Sequence, residues 1–206
     1  MAEPRQRYAY PGYDVLAKRG TPSWNAQTRT VVEERLSPPA PGFFDAVEWQ
    51  VLVALCARIL PQPSLRDRPV PLPEMIDAQM RSGHGDGYRI EGMPPIGDCW
   101  RQGLRALDAE ARLVYGASFP DLPPGRQDAL LGAVQRGEAG APEWEGLPPK
   151  SFFRSRVLHD IGSAYYAHPT AWSEIGFGGP ASPRGYVRMD ENRRDPWEAV
   201  EHRHDR

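Results

Sequence analysis

The sequence predicts an all-α protein, a compact bundle of five or six helices with extended proline- and glycine-rich arms at its N- and C-terminal ends. Three observations predict it. Apolar residues recur at three- and four-residue spacing along several stretches, the period of a helix face turned to a core. No stretch sustains the two-residue alternation of a half-buried strand. The 23 prolines and 20 glycines of the 206 residues cluster between the apolar stretches, at shares above the usual values of about 5% and 7%.

Residues 1–42 are expected to form an extended aromatic arm with one short helix. Tyr8, Tyr10, Tyr13 and Trp24 stand among Pro11, Gly12 and Pro22 without any period. Two readings of this arm stay open. Its aromatic side chains dock on a partner, where such residues dominate interface energetics, or they fold back on their own domain. The short helix runs from Asn25 to Leu36, with Asn25 or Ser23 as cap and Val31, Val32 and Leu36 as its stripe.

A helical core domain is expected over residues 43–166, after the linker Ser37-Pro38-Pro39-Ala40-Pro41-Gly42. Its strongest helix carries Phe44, Val47, Val51, Leu52, Leu55 and Ile59, with Asp45 near its start and Leu60-Pro61 as its stop. Pro73 suits the first turn of the next, which reaches Met80. A long helix follows, with Asp98 as expected cap, Trp100, Leu104, Leu107, Ala111 and Val114 as its stripe, and Gly116 at its end. Pro123-Pro124 opens a further helix with Leu130, Leu131 and Val134 inward, closed by Gly137 and Gly140. The last spans about Pro149 to Tyr166, with Phe153, Val157, Ile161 and Ala164 on one face. Residues 167–189 are expected as a proline-, glycine- and aromatic-rich ribbon, and 190–206 as a charged, disordered tail.

Composition narrows the function classes. A formal net charge of -2 provides no field to gather nucleic acid or an anionic membrane. Arg184, Arg188, Arg193 and Arg194 are offset by Asp190, Glu191, Asp195, Glu198 and Glu201, so the tail is mixed in charge and not a basic stripe. The longest apolar run, Val51 to Leu60, is interrupted by Arg58 and falls short of the ~20 residues a membrane span needs. With no secretory leader at the start, the default compartment is the cytoplasm, or the periplasm if the chain is exported with a partner. Cys56 and Cys99 form no CxxC pair. They read as free buried thiols, with a disulfide between two helices left open.

Catalytic chemistry is hard to find. There is no HExxH and no G-x-S-x-G, and Glu-x-x-His occurs only at Glu201-His202-Arg203-His204 in the charged tail. His159 and Asp160 are helical neighbours, which face different directions. Asp108 and Glu110 read as a solvated helix face with Arg105 and Arg112 as partners, and Glu48 and Asp77 as candidate buried carboxylates with no evident pair. Gly176-Phe177-Gly178-Gly179-Pro180-Ala181 satisfies G-x-G-x-x-A formally. A helix precedes it and prolines follow, so it is a turn-rich ribbon and no dinucleotide fingerprint. His202 and His204 belong to the charged tail.

Three segments carry a family likeness. They are Phe44 to Pro61, ending in Ala57-Arg58-Ile59-Leu60-Pro61; Gly103-Leu104-Arg105-Ala106-Leu107-Asp108 leading to Tyr115-Gly116 and Phe119; and Phe152-Phe153 through Gly162, Tyr165-Tyr166 and His168-Pro169 to Trp172-Ser173-Glu174-Ile175-Gly176-Phe177. Gly179-Pro180-Ala181-Ser182-Pro183-Arg184-Gly185-Tyr186 completes the third, the most specific of them. On these residues the chain resembles the gluconate 2-dehydrogenase subunit 3 family, the small subunits of flavin-dependent sugar and sugar-acid dehydrogenases. The resemblance implies a non-catalytic accessory subunit with no flavin or haem of its own. It implies an FAD-containing large subunit of the glucose-methanol-choline type as partner, often joined by a multihaem cytochrome c. In some members the small subunit carries a twin-arginine leader; Arg5-Gln6-Arg7 is not one.

Arm and ribbon together nominate Tyr13, Trp24, His168, Trp172, Ile175, Phe177, Pro180, Arg184 and Tyr186 as partner-facing, with no catalytic, cofactor or metal residue. Two alternatives stand beside this reading. One is a stand-alone metal enzyme using His159, His168 and a carboxylate such as Glu174. The other is a helical scaffold for an unrelated partner.

Overall fold

A computed structural model describes residues 10–63, 67–83, 90–180 and 194–201. Among the described residues there are eight α-helices and no strand. They are α1 (Ala26–Leu36), α2 (Ala46–Ile59), α3 (Leu72–Ser82), α4 (Ile96–Tyr115), α5 (Pro124–Arg136), α6 (Pro149–Phe152), α7 (His159–Ala167) and α8 (Pro169–Ile175). Short 3-10 turns lie at Val15–Gly20, Phe119–Asp121 and Pro142–Trp144, and a π-helical segment, Phe153–Leu158, joins α6 to α7. The helix expected over about 149–166 is therefore real but changes its winding midway. Helix α8 falls inside the stretch expected as a ribbon.

Two compact units divide the chain. The terminal unit draws on Met1–Ser37, Arg68–Val70 and Tyr165–Arg206; the central unit draws on Pro38–Asp67 and Pro71–Ala164. Described residues 10–37 and 167–180 thus fall in one unit, and residues 38–42 in the other.

In the central unit the caps explain where helices begin. Asp45 Oδ1 accepts the backbone N–H of Val47 and Glu48, both at 2.9 Å, and Glu48 Oε2 accepts that of Asp45 at 3.0 Å. This reciprocal box satisfies donors the first turn would leave open. Asp98 is not the cap of α4. That helix starts at Ile96 behind Pro95, and Asp98 lies in its first turn, where a negative charge meets the positive helix end. Val47 and Val114, expected inward, are exposed in terminal turns.

The core of this unit joins Leu52 and Leu55 of α2, Ile76 of α3, Trp100, Leu104 and Leu107 of α4, and Phe152 and Ile161, all at most 1% exposed. Trp100 and Phe152 meet edge to face at 5.6 Å, and Trp144 packs on the same Phe152 ring at 5.8 Å. A Cβ on Gly103 would lie 2.3 Å from that ring, so only glycine lets α4 approach Phe152 this closely.

Buried carboxylates tie the loops down. Asp77 accepts the backbone N–H groups of Gly42, Phe43 and Phe44 at 2.9–3.1 Å. Glu110 accepts those of Gly140 and Ala141 at 2.9 and 2.7 Å. Asp108 accepts from Ser118 Oγ at 2.6 Å and from the Phe119 N–H at 2.8 Å, and pairs with Arg112 at 2.9 Å. The expected solvated face is thus corrected: Asp108 and Glu110 are 6% and 5% exposed. Arg105 pairs elsewhere, with Asp45 at 3.3 Å and buried Glu48 at 2.8 Å. The physical reason is that a helix packed under a loop meets backbone donors that need an acceptor.

Candidate partner interface

The terminal unit is organised around two indoles. Val15, Trp24, Val32 and Trp172 form its buried core, with Tyr13, Leu16 and Leu36 packed against it. Asn25 Oδ1 accepts the Thr28 N–H at 2.8 Å and so starts α1. Helix α1 then carries Arg35 to Trp172, whose ring centroid lies 5.4 Å away. Arg35 also donates to the Ala167 carbonyl at 3.0 Å. The Trp172 Nε1–H donates to the Tyr166 carbonyl at 2.7 Å, and Phe177 meets the Trp172 ring edge to face at 5.6 Å.

The segment after α8 is laid over this core by glycines. Gly176 and Gly179 both have φ +69°, a backbone state other residues rarely adopt. A Cβ on Gly176 would lie 2.6 Å from the Tyr10 ring, and one on Gly179 would lie 3.2 Å from Trp172 and 3.3 Å from Trp24. Lys18, 4% exposed, donates from Nζ to the Gly178 carbonyl at 2.5 Å. Burial pushes the Lys18 ammonium below its ordinary range, against the opposing pull of Glu198 and Asp195. Burial also pushes the Tyr13 phenol up to about 12, with Glu198 and Asp14 adding to it.

The nominated residues separate into four groups. Trp24, His168 and Trp172 are 2–3% exposed, so they are corrected from partner-facing to internal. The two indoles hold the unit's core, and His168 caps α8 by accepting the Thr170 N–H on Nδ1 at 3.2 Å. Tyr13 and Pro180 are half-buried. Ile175 and Phe177 remain open, 48% and 43% exposed. Arg184 and Tyr186 lie outside the described residues, as do His202 and His204. Sequence reasoning missed Tyr166, which is 58% exposed in the same unit. A signal was present, since the inner face of Phe153, Val157, Ile161 and Ala164 leaves Tyr166 out.

The metal alternative finds no assembled site. Among the described residues no three His, Cys, Asp or Glu side chains form a group that could hold an ion, and His159, His168 and Glu174 are no exception. Glu174 accepts a hydrogen bond from the Tyr165 hydroxyl. His159 and Asp160 do not point apart as expected; Nδ1 and Oδ1 lie 2.9 Å from each other. Both cysteines are free and buried, and burial raises both thiols, Cys99 to about 12.

Together these features define an all-helical protein that leaves aromatic and aliphatic side chains open on its terminal unit. The family model for gluconate 2-dehydrogenase subunit 3 matches residues 46–179, and the chain belongs to that family. The family's name marks it as a subunit of a multi-subunit dehydrogenase. No curated protein and no solved structure matches the chain. The matched stretch runs from the first turn of α2 to the turn after α8, so it includes Trp172, Ile175 and Phe177 and omits Tyr13 and Trp24. Among the described residues no helix is long and apolar enough to cross a membrane.

Proposed function

We propose that the chain is the non-catalytic small subunit of a gluconate, sugar or alcohol dehydrogenase complex, and that it binds and stabilises the FAD-containing large subunit of the glucose-methanol-choline type. The observation that carries this reading is the family match over residues 46–179. Support comes from Ile175 and Phe177, large apolar side chains inside that match that stay 48% and 43% exposed after the terminal core has formed. Burying the roughly half of each side chain that is still open against a second protein is worth about 0.7–1.5 kcal/mol each, which makes them natural anchors. FAD belongs to the large subunit on this reading, the small subunit holds no cofactor, and a cytochrome c subunit completes the assembly in some complexes.

The test is co-expression of a tagged chain with its large subunit. The expected result is a co-purifying pair whose flavin leaves with the large subunit when the two are separated. Ile175→Asp with Phe177→Asp should abolish recovery of the pair. Dye reduction by the isolated small subunit would overturn the proposal.

A further inference from the structure

Asp160 is 1% exposed and held by three groups of the central unit. Its Oδ2 accepts the Trp100 Nε1–H at 2.7 Å, while Oδ1 faces Arg156 at 3.6 Å and His159 Nδ1 at 2.9 Å. An oxygen set against a guanidinium is an acceptor, so the proton between Oδ1 and the imidazole sits on Nδ1. The consequence reaches the far side of the ring. With Nδ1 protonated, neutral His159 carries its lone pair on Nε2, and a buried carboxylate holds the ring in that tautomer.

The His159 side chain is 51% exposed. Among the described residues nothing hydrogen-bonds to its Nε2. One turn further along α7, on the same face, stands Gly162. A Cβ there would meet nothing within 4 Å, and its φ lies outside the left-handed range. Neither internal packing nor backbone conformation therefore requires glycine in this helix interior, where it is unfavourable relative to alanine. Leu158, four residues before Gly162, is 43% exposed. An outward acceptor, an open apolar side chain and a bare stretch of helix thus share one face.

We infer that the outward Nε2 of His159, aimed by buried Asp160, is a hydrogen-bond acceptor for an N–H or O–H group of the flavoprotein large subunit, which approaches the helix closely beside Leu158 and Gly162. To the neutral ring the occupant is a hydrogen-bond donor, because this tautomer offers it a lone pair on Nε2 and no proton. His159 is here a recognition residue and Asp160 a positioning residue. The inference rests on the proposed function, since it takes its partner from there.

Two measurements test it. Nitrogen-15 spectra of the lone full-length chain at a pH where the imidazole is neutral should show His159 as the Nδ1–H tautomer; a predominant Nε2–H form overturns the inference without touching the proposed function. The second is the affinity of the purified chain for the purified large subunit. His159→Asn keeps an N–H donor for Asp160 but deletes Nε2. It should melt like the unaltered chain and bind roughly tenfold more weakly. A merely structural histidine would be rescued by asparagine, and unchanged affinity overturns the inference while the proposed function stands. Failure of the unaltered chain to bind overturns both.

Discussion

Gly103→Ala isolates how tightly the central unit is packed. The added Cβ would lie 2.3 Å from two atoms of the Phe152 ring and 2.7 Å from a third, against the ~3.5–4.0 Å at which carbon atoms rest. More than an ångström must therefore be found. The ring is poorly placed to supply it, being 1% exposed and packed against Trp100 and Trp144. Overpacking of a well-filled core costs about 1–3 kcal/mol, and this overlap belongs at the upper end. Replacing glycine in a helix returns about 1 kcal/mol of propensity, leaving a net loss of about 2 kcal/mol. At ~2–4 °C per kcal/mol for a chain of this size, the midpoint should fall by roughly 4–8 °C in a far-ultraviolet circular dichroism melt. Gly162→Ala is the internal control, because the same change meets nothing within 4 Å. It should raise stability by about 0.5–1 kcal/mol. If the two variants move in the same direction, or Gly103→Ala melts at the original temperature, the packing argument is wrong.

Other consequences follow from the same geometry. Burial pushes the Asp108 carboxyl up, but the hydrogen bonds from Ser118 and Phe119 and the pairing with Arg112 outweigh it and hold the group below its ordinary value. A depressed folded value means that the stabilisation is complete above the unfolded value of about 3.9 and is lost as pH falls through the folded one. Asp108→Asn should cost about 1–3 kcal/mol at neutral pH and flatten the acid limb of a urea-stability profile; an unchanged acid limb refutes the assignment. Gly179→Ala places a Cβ 3.2 Å from Trp172 at φ +69°, so tryptophan fluorescence should show a more solvated terminal core. A spectrum identical to the original would speak against the description of that segment. Cys56 and Cys99, free and buried with raised thiols, should resist a disulfide exchange reagent in the native state and react once unfolded. Rapid native labelling would contradict their burial.

Helices were legible where a cap, a stripe and a stop coincided. Asn25, Asp45, Gly116 and Gly137 all mark ends at the expected places, because capping and left-handed glycine are local chemistry. Helix α8 was not legible. Its seven residues are too few for a stripe to show, and the surrounding glycines and prolines drew the reading toward irregular chain. Asp108 and Glu110 were misread because their partners, the N–H groups of Phe119, Gly140 and Ala141, are brought to them only by tertiary folding. The candidate surface was legible by composition but not residue by residue. Trp172 and Phe177 look alike in the sequence, yet Trp172 is 3% exposed and Phe177 43%. Trp172 turns its indole N–H to the Tyr166 carbonyl and so lies inward, while Phe177 meets that ring at 5.6 Å and stays open.

Sedimentation velocity of purified small and large subunits, followed by flavin absorbance, addresses the assembly directly. The account predicts that adding this chain shifts the flavin boundary to a faster species of fixed stoichiometry and raises the melting temperature of the large subunit. A flavin boundary that stays in place at concentrations well above micromolar, with the large subunit melting as it does alone, would contradict it.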